Sequence, residues 1–292
     1  MSKYKCGLCG SVDVSSHPIS ARLLKDLGVS DDPEIRSAAL RCEVCGFVFS
    51  EQIPVGALQR FYEQMSTEDH YYASSRPEFQ LFQGYVDQGA AVLDWGCGSG
   101  NFAGSVEAAG GTYLGVDFAG PAIAHGVARG LRLMSVDEFM FIDETFDLIT
   151  LNQVLEHHLD PIDVVLNLVK RLRPGGRIAV AVPNPDSPVI WASAIPLEFP
   201  PHHLTRWRDT HLCALADIGG LKVVEYRTHA LSAEHAGLWL EGKCRRTLRG
   251  EPLVYRPAST ASRISLRLGR VFGAPLRARC IGLYHSIVME RL

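Results

Sequence analysis

The sequence predicts an α/β protein in which helices cover both faces of a doubly wound, mostly parallel sheet of seven strands, preceded by a small metal-binding module. From Glu78 onward, short apolar segments alternate with helical segments, which is the pattern of a parallel sheet built from crossover units. A glycine-rich turn directly follows the first apolar segment, and two Cys-x-x-Cys pairs precede residue 50. These three observations predict the fold class and the order of its parts.

Seven strands and five helices follow from this alternation. The strands are predicted near residues 90–95, 112–117, 131–136, 146–151, 177–182, 222–227 and 281–289, the last of them antiparallel. The helices are predicted near residues 78–88, 101–110, 120–129, 161–172 and 209–219. The chain is thereby divided into a module at 1–50, an aromatic-rich connector at 51–77 and a main domain at 78–292, with a long loop at 183–208 and a basic insertion at 230–280.

The composition is that of a globular chain with a substantial core. Of the 292 residues, 47% are hydrophobic and 21% are charged. No segment has 18 consecutive apolar residues, and the N-terminus lacks the apolar stretch of a signal peptide, so we expect a cytoplasmic protein. The net charge of −3 provides no general attraction to nucleic acid, and an anionic partner would need a local basic patch.

Four of the eight cysteines form two Cys-x-x-Cys pairs, Cys6 with Cys9 and Cys42 with Cys45. Two such pairs supply the four thiolates of a tetrahedral Zn²⁺ site. Without a secretory signal, a metal explains them better than disulfides do, because the cytosol keeps thiols reduced. A redox site would need only one pair, on a turn between a strand and a helix. We therefore predict a structural zinc ribbon.

Residues 92–100, with the sequence VLDWGCGSG, lead from an apolar strand into a turn that can approach a ligand closely. Glycines at Gly96, Gly98 and Gly100 permit positive φ and present no Cβ to a ligand. A dinucleotide-binding fingerprint would place its third glycine at position 101, where this chain has Asn101, so nicotinamide and flavin enzymes are disfavoured. The turn therefore predicts a different nucleoside cofactor.

Further motifs follow the turn in a fixed order. Asp117 closes a second apolar strand about 20 residues beyond the turn, where a carboxylate can bind a ribose diol. Residues 146–152 (FDLITLN), 154–161 (VLEHHLDP) and 172–176 (LRPGG) come next. Over this span of roughly 90 residues the chain resembles the class I S-adenosylmethionine-dependent methyltransferases. The resemblance implies a Rossmann-like sheet, S-adenosylmethionine as methyl donor and S-adenosylhomocysteine as product.

The resemblance also implies which residues bind the cofactor. The turn is expected to hold the methionine end and Asp117 the ribose hydroxyls, while Asp137 is the candidate for the adenine amino group. Asn152 and Gln153 face the same crevice, and His157 is expected to lock its loop through a hydrogen bond. The full predicted set is Asp94, Gly96, Cys97, Gly98, Gly100, Asp117, Phe118, Asp137, Glu138, Asn152 and Gln153.

The long loop contains the best candidate for a general base. Residues 203–207 (HLTRW) resemble a stretch of zinc-ribbon methyltransferases, including enzymes that C-methylate nucleotide-linked deoxysugars, in which the histidine is a proposed base. His203 matches that histidine, and imidazole titrates near neutrality. Those sugar enzymes have a Glu-His pair, whereas this chain has His202 before His203, so O-methylation and C-methylation both remain open. The other interpretation is that both histidines only pin the loop.

Two further segments are candidates for contact with the acceptor. In zinc-ribbon methyltransferases a tyrosine-bearing segment lies over the acceptor pocket, and Tyr71 and Tyr72 match it in position; core packing is the other interpretation. Residues 241–280 contain ten lysines and arginines against two glutamates. This basic segment fits a phosphorylated acceptor, an anionic membrane bearing a lipid-linked glycan, RNA phosphates, or a solvated helix face at a dimer interface.

We therefore expect a methyltransferase that acts on a small hydroxylated metabolite such as a sugar, a nucleotide sugar or a lipid-linked glycan, as a monomer or homodimer. One alternative is an RNA or protein methyltransferase that uses the zinc ribbon for recognition, although the sequence shows no recognisable RNA-binding module. The other alternative is an inactive scaffold of the same fold. The intact glycine turn and Asp117 argue against the scaffold.

Overall fold

A computed structural model describes residues 4–17, 39–51, 53–65, 76–187, 189–190, 198, 200–232, 235–236 and 281–292. The predicted acceptor residues Tyr71 and Tyr72 and the basic segment 241–280 lie outside these ranges. The chain is divided into two compact units. The first comprises Met1–Ile53, Pro183–Asp209 and Arg227–His285, and the second comprises Pro54–Val182, Thr210–Tyr226 and Ser286–Leu292.

The predicted strands and helices are all present within the described ranges, with differences at their ends. Strands β1 to β11 are Val14–Ser16, Ala39–Cys42, Val48–Ser50, Ala91–Trp95, Thr112–Asp117, Leu133–Ser135, Phe146–Asn152, Leu172–Pro183, Thr205–Arg206, Leu221–Ala230 and Ile281–Arg291. Helices α1 to α7 are Val55–Met65, Pro77–Gln83, Ala103–Ala108, Gly120–Ala128, Val136–Phe139, Pro161–Val169 and Asp209–Ile218. Among the described residues, none of the helices combines the length and the apolar character that a membrane crossing requires.

Seven of the strands form one sheet, in the order β10-β11-β8-β7-β4-β5-β6. The pairings of β4 with β5, β4 with β7, β5 with β6 and β7 with β8 are all parallel. The predicted doubly wound, mostly parallel sheet is thus confirmed. The chain runs outward from β4 in both directions, so β4 marks a topological switch point, and ligands of such sheets bind beyond the carboxyl ends of the strands there.

The centre of this sheet is a continuous apolar layer. Ile149 and Leu151 on β7 and Ile178 and Val180 on β8 have no exposed surface. Helices α2 and α3 pack against the sheet through Phe82 and other apolar side chains of the same buried cluster. Near-continuous burial along neighbouring strands is what helices on both faces of a parallel sheet produce.

Strand β8 begins earlier than predicted. Phe146 pairs with Leu172 and Leu148 pairs with Arg177, so residues 173–176 bulge out of the ladder. Gly175 has a φ of 74°, which permits this bulge. The Pro-Gly-Gly motif reads as a turn in the sequence, whereas in the structure the strand continues through it because pairing with β7 resumes on its far side.

The first unit contains a second sheet, with the order β1-β2-β3-β9. Strands β1, β2 and β3 come from the N-terminal module and pair antiparallel. The fourth strand, β9, was not predicted; it belongs to the long loop at 183–208 and pairs antiparallel with β3. This loop was assigned to the main domain, but through β9 it joins the sheet of the N-terminal module. Two residues are too few to show a strand pattern in the sequence.

Candidate active site

The glycine turn after β4 adopts the backbone that its sequence predicts. Gly96, Gly98 and Gly100 have φ values of 71°, 55° and 82°. The amides of Gly96 and Cys97 donate hydrogen bonds to the carbonyl of Val116, at 2.7 and 3.1 Å, and tie the turn to β5. A Cβ on Gly96 would lie 2.5 Å from the side chain of Val154. The turn therefore depends on glycine for its conformation and, at Gly96, for space.

Two side chains at the turn, Asp94 just before it and Cys97 within it, have raised pKa values. Asp94 is buried, and its carboxylate accepts hydrogen bonds from the hydroxyls of Thr150 and Tyr113 and from the amide of Asn152, at 2.8 to 2.9 Å. Burial raises the pKa of Asp94 to about 6, and these three donors moderate the rise. Burial and the nearby carboxylates also raise the pKa of the Cys97 thiol, which keeps it protonated. Asp94 thereby links β4 to both neighbouring strands, β5 and β7.

Asp117 is buried at the end of β5, as predicted for a ribose-binding carboxylate. Its Oδ2 accepts a hydrogen bond from the amide of Gly98 at 2.7 Å, and its Oδ1 accepts one from the amide of Ala119 at 2.8 Å. Burial raises its pKa, and the backbone donors oppose that effect. Each carboxylate oxygen can accept a second hydrogen bond, so the geometry fits a pair of ribose hydroxyls. That contact stays a prediction.

Buried polar side chains lie together at the carboxyl end of β7, and the sequence did not predict that Glu78 is one of them. Asn152 donates to Asp94, but its Oδ1 has no hydrogen-bond partner among the described residues. Gln153, whose φ is 58°, donates from Nε2 to Oε1 of Glu78 at 3.2 Å. Glu78 has no exposed surface, and its Oε2 also finds no partner within the described ranges. Arg76 lies 4.0 Å from Glu78 Oε1 and remains partly exposed.

These groups match the charges of an amino-acid zwitterion. Two buried oxygens without donors fit an ammonium group, and a partly exposed guanidinium fits a carboxylate. The methionine end of S-adenosylmethionine carries both groups. Glu78 and Arg76 were missed because an acid near the start of a helix reads as an ordinary helix-capping residue; only its burial beside Gln153 marks it.

An aromatic cluster lies next to the end of β5. The hydroxyl of Tyr62 is 3.0 Å from Nδ1 of His157, which provides the hydrogen bond expected for that histidine. The Tyr62 ring also makes an edge contact with Phe118, with centroids 5.5 Å apart. Phe118 is half exposed directly after Asp117. The cluster thus places an aromatic face beside the predicted ribose site.

Of the two acids predicted near the adenine, Asp137 and Glu138, only Glu138 takes part in a helix cap. Ser135 caps α5 and Glu138 completes a capping box, accepting from the amide and hydroxyl of Ser135 at 2.7 and 2.8 Å. These donors lower the pKa of the exposed Glu138. This cap also ends β6 at Ser135, earlier than predicted. The capping box is formed by Ser135 and Glu138 without the side chain of Asp137, so Asp137 remains the predicted adenine residue.

The four predicted metal ligands come together in the first unit. The metal-binding atoms of Cys6, Cys9, Cys42 and Cys45 all lie within 4.8 Å of one another. The Sγ atoms of Cys6 and Cys45 are 3.7 Å apart, and those of Cys9 and Cys42 are 3.5 Å apart. Tetrahedral zinc thiolates at ~2.3 Å from the metal give sulfur separations of about 3.8 Å. The donor set and its spacing therefore fit zinc.

The candidate base, also in the first unit, has a carboxylate partner. His203 is buried, and its Nδ1 lies 3.2 Å from Oε2 of Glu198, which is buried as well. The ring of His202 stacks on that of His203 with centroids 4.6 Å apart. Arg206 donates from Nη2 to the backbone oxygen of Glu198 at 2.7 Å. Glu198 was missed because it lies five positions before His203, whereas the motif predicts its carboxylate at position 202.

The seven-stranded sheet, its glycine turn after β4 and the buried carboxylate at the end of β5 define a class I S-adenosylmethionine-dependent methyltransferase. A family model for the methyltransferase domain matches residues 65–226. The chain belongs to this methyltransferase family.

Named relatives agree with this assignment. A ubiquinone biosynthesis O-methyltransferase of Rhizobium leguminosarum bv. trifolii is 34% identical over 134 residues, which cover 42% of this chain and 52% of that protein. A probable S-adenosylmethionine-dependent methyltransferase of Mycolicibacterium smegmatis is 26% identical over 175 residues, covering 56% and 67% of the two chains. The chain thus spans about half the length of the first of these relatives.

One solved structure illustrates the shared fold. The geranyl diphosphate C-methyltransferase of Streptomyces coelicolor A3(2) superposes with a TM-score of 0.53 at 15% identity, covering 82% of this chain and all of that chain. At this identity the likeness concerns the fold alone.

Proposed function

We propose that this methyltransferase transfers the methyl group of S-adenosylmethionine to a hydroxyl oxygen of a small acceptor, with His203 as general base. The Glu198–His203 pair carries the proposal. A carboxylate on Nδ1 favours the tautomer that has its proton on Nδ1, so Nε2 carries the lone pair that accepts a proton in the proposed reaction. Among the candidate catalytic residues, this pair has the arrangement that a hydroxyl nucleophile requires.

These residues and the bound cofactor account for every bond and proton in the proposed transfer. Bound S-adenosylmethionine supplies an electrophilic methyl group, and an oxygen–carbon bond forms as the carbon–sulfur bond breaks. His203 removes the hydroxyl proton, and Glu198 stabilises the imidazolium that results. The second unit is proposed to bind the cofactor, with Asp117 on the ribose and Glu78, Asn152 and Arg76 on the methionine end. The four cysteines are proposed to hold a structural Zn²⁺.

The acceptor class has two candidates. The likeness of residues 203–207 to zinc-ribbon methyltransferases favours a sugar, a nucleotide sugar or a lipid-linked glycan. The relatives named ubiquinone biosynthesis O-methyltransferase favour a phenolic hydroxyl instead. Both candidates present a hydroxyl group to a base, and His203 serves either. We propose the glycosidic acceptor first, because the zinc-ribbon likeness includes the base itself.

Methyl-labelled S-adenosylmethionine incubated with fractionated host extract tests the proposal. We expect label in small metabolites or glycolipids, released by acid hydrolysis as O-methyl sugars, and we expect Asp117→Asn and His203→Ala to abolish it. His125→Gln, at an exposed position, is the matched histidine control. Label in a methylated phenol would favour the second acceptor class. Label in RNA or protein would refute the small-acceptor proposal.

A further inference from the structure

The strand that follows the candidate base belongs to the sheet of the cysteine module. In β9, Thr205 pairs with Phe49 and Arg206 pairs with Val48 of β3. The amide of Ser50 donates to the carbonyl of Leu204, the residue next to His203, at 2.7 Å. The backbone on the C-terminal side of His203 is therefore held directly by β3.

Side chains reinforce this pairing. Trp207 has no exposed surface, and its ring makes an edge contact with Phe47, with centroids 4.9 Å apart. Its Nε1 donates to the hydroxyl of Thr205 at 2.9 Å. Phe47 is itself buried and lies two residues after Cys45. The second cysteine pair is thus connected to the base loop through one aromatic contact and one strand pairing.

The same strand also holds the partner of the base. Arg206, on β9, donates to the backbone oxygen of Glu198, and the Glu198 side chain contacts His203. Both members of the Glu198–His203 pair are therefore attached to β9. A distortion of β9 would therefore disturb both groups of the pair.

The sheet that carries β9 consists of short strands. Its strands have three, four, three and two residues, mostly fewer than the roughly five or six residues that are most common in globular proteins. A metal bound by four thiolates contributes its binding energy to folding in modules of this kind. Cys42 is the last residue of β2 and Cys45 lies in the turn before β3, whereas Cys6 and Cys9 precede β1.

We propose that the four-stranded sheet is the support that fixes the Glu198–His203 pair, with Phe47 as a positioning residue and metal binding at the four cysteines as the source of its rigidity. The ribbon then serves catalysis from within the chain instead of recognising a macromolecule. The role of His203 as base rests on the proposed function, but the mechanical coupling between the cysteine site and β9 does not.

The test observes Trp207 directly in the intact, metal-loaded chain. Labelling with 5-fluorotryptophan gives one ¹⁹F resonance for each of the four tryptophans, and Trp207→Phe assigns the one of interest. Chelation of the metal should shift or broaden the Trp207 resonance while the Kd for S-adenosylhomocysteine stays within about twofold, because the cofactor residues belong to the other unit. Phe47→Ala should reproduce both results with the metal retained, and Phe47→Leu should restore most of the signal.

The matched control is Val44→Ala, because Val44 lies between Cys42 and Cys45 with 67% of its surface exposed. It should leave the metal content, the Trp207 resonance and methyl transfer unchanged. Phe47→Ala should slow label transfer to the acceptor fraction about 100-fold, the cost of a small misplacement of a catalytic group. Full activity of His203→Ala together with the expected Trp207 shift would refute the base but retain the support. An unchanged Trp207 resonance after metal removal, or a loss of cofactor affinity in Phe47→Ala, would overturn the support.

Discussion

At the scale of single residues, the proposed cofactor site contains buried acceptors that have no donor within the described ranges. Burying an acceptor oxygen without a donor costs free energy, roughly 1 to 3 kcal/mol and more for a charged group. Glu78 Oε2 and Asn152 Oδ1 are both in this state among the described residues. A ligand that donates to both relieves that cost on binding, which explains why such groups persist at a site.

Replacement of Glu78 tests this reading of the site. Glu78→Gln should weaken binding of S-adenosylhomocysteine about tenfold or more, since it removes the charge opposite the ammonium group. Binding of 5′-methylthioadenosine, which lacks the amino-acid end, should change by less than about twofold. Isothermal titration with the two ligands measures the difference.

Two further variants serve as the positive and the negative control for that experiment. Asp117→Asn should weaken both ligands, because both contain the ribose. Glu107→Gln, at an exposed position on α3, should weaken neither. Equal losses for the two ligands in Glu78→Gln would show that Glu78 supports the fold of the site without contacting the methionine end.

At the scale of the element, the turn after β4 illustrates how a backbone conformation and a packing contact combine. Gly96 needs a left-handed φ, and its missing Cβ leaves the space that Val154 occupies. Gly130 has a φ of 84° with nothing near its Cβ position. Comparing alanine substitutions at these two glycines therefore separates the cost of backbone strain from the cost of a steric clash.

Gly96→Ala should lower the free energy of unfolding by about 2 kcal/mol more than Gly130→Ala does. Both changes place alanine at positive φ, for roughly 1 to 2 kcal/mol, and only the first adds a clash with Val154, for about 1 to 3 kcal/mol. Urea denaturation measures both. Val154→Ala should recover part of the loss in a double-mutant cycle; additive effects would mean that the clash is relieved elsewhere.

At the scale of the whole molecule, two buried ionisable groups change the folding stability in opposite directions as the pH falls. His285 on β11 is fully buried, and burial lowers its pKa to about 4. Its contribution to stability is present above the unfolded pKa of about 6.5 and is lost as pH falls toward 4. Asp94 behaves in the opposite way: with its pKa raised to about 6, its contribution is largest below about 4 and is lost as pH rises through 6.

The two groups should therefore be separable by mutation. Between pH 4.5 and 6, His285→Gln should reduce the slope of unfolding free energy against pH, and Asp94→Asn should increase it, each by up to about 1.4 kcal/mol per pH unit. Denaturant titrations across this range measure the slopes, with His125→Gln as the exposed control. Slopes that change in the same direction would contradict the assignment.

The sheet and the cofactor turn were predictable because their determinants are local. Apolar runs of strand length, three glycines in one turn and an acid at a strand end are read along the chain without knowing what packs against it. Asp117 and the four cysteines came from the same kind of signal. The ends of β6 and β8 were wrong because a capping box and a bulge depend on how neighbouring strands pair.

The sequence by itself determined the fold class and the methyl donor and predicted the four cysteines as metal ligands, since each depends on residue types at fixed spacing. Only the tertiary structure decided which buried acceptors lack a donor, that Glu198 is the partner of His203, and that the loop of His203 joins the cysteine module through β9. These are contacts between residues whose spacing follows no repeat, and their energy depends on burial and pairing that arise only after the chain has folded.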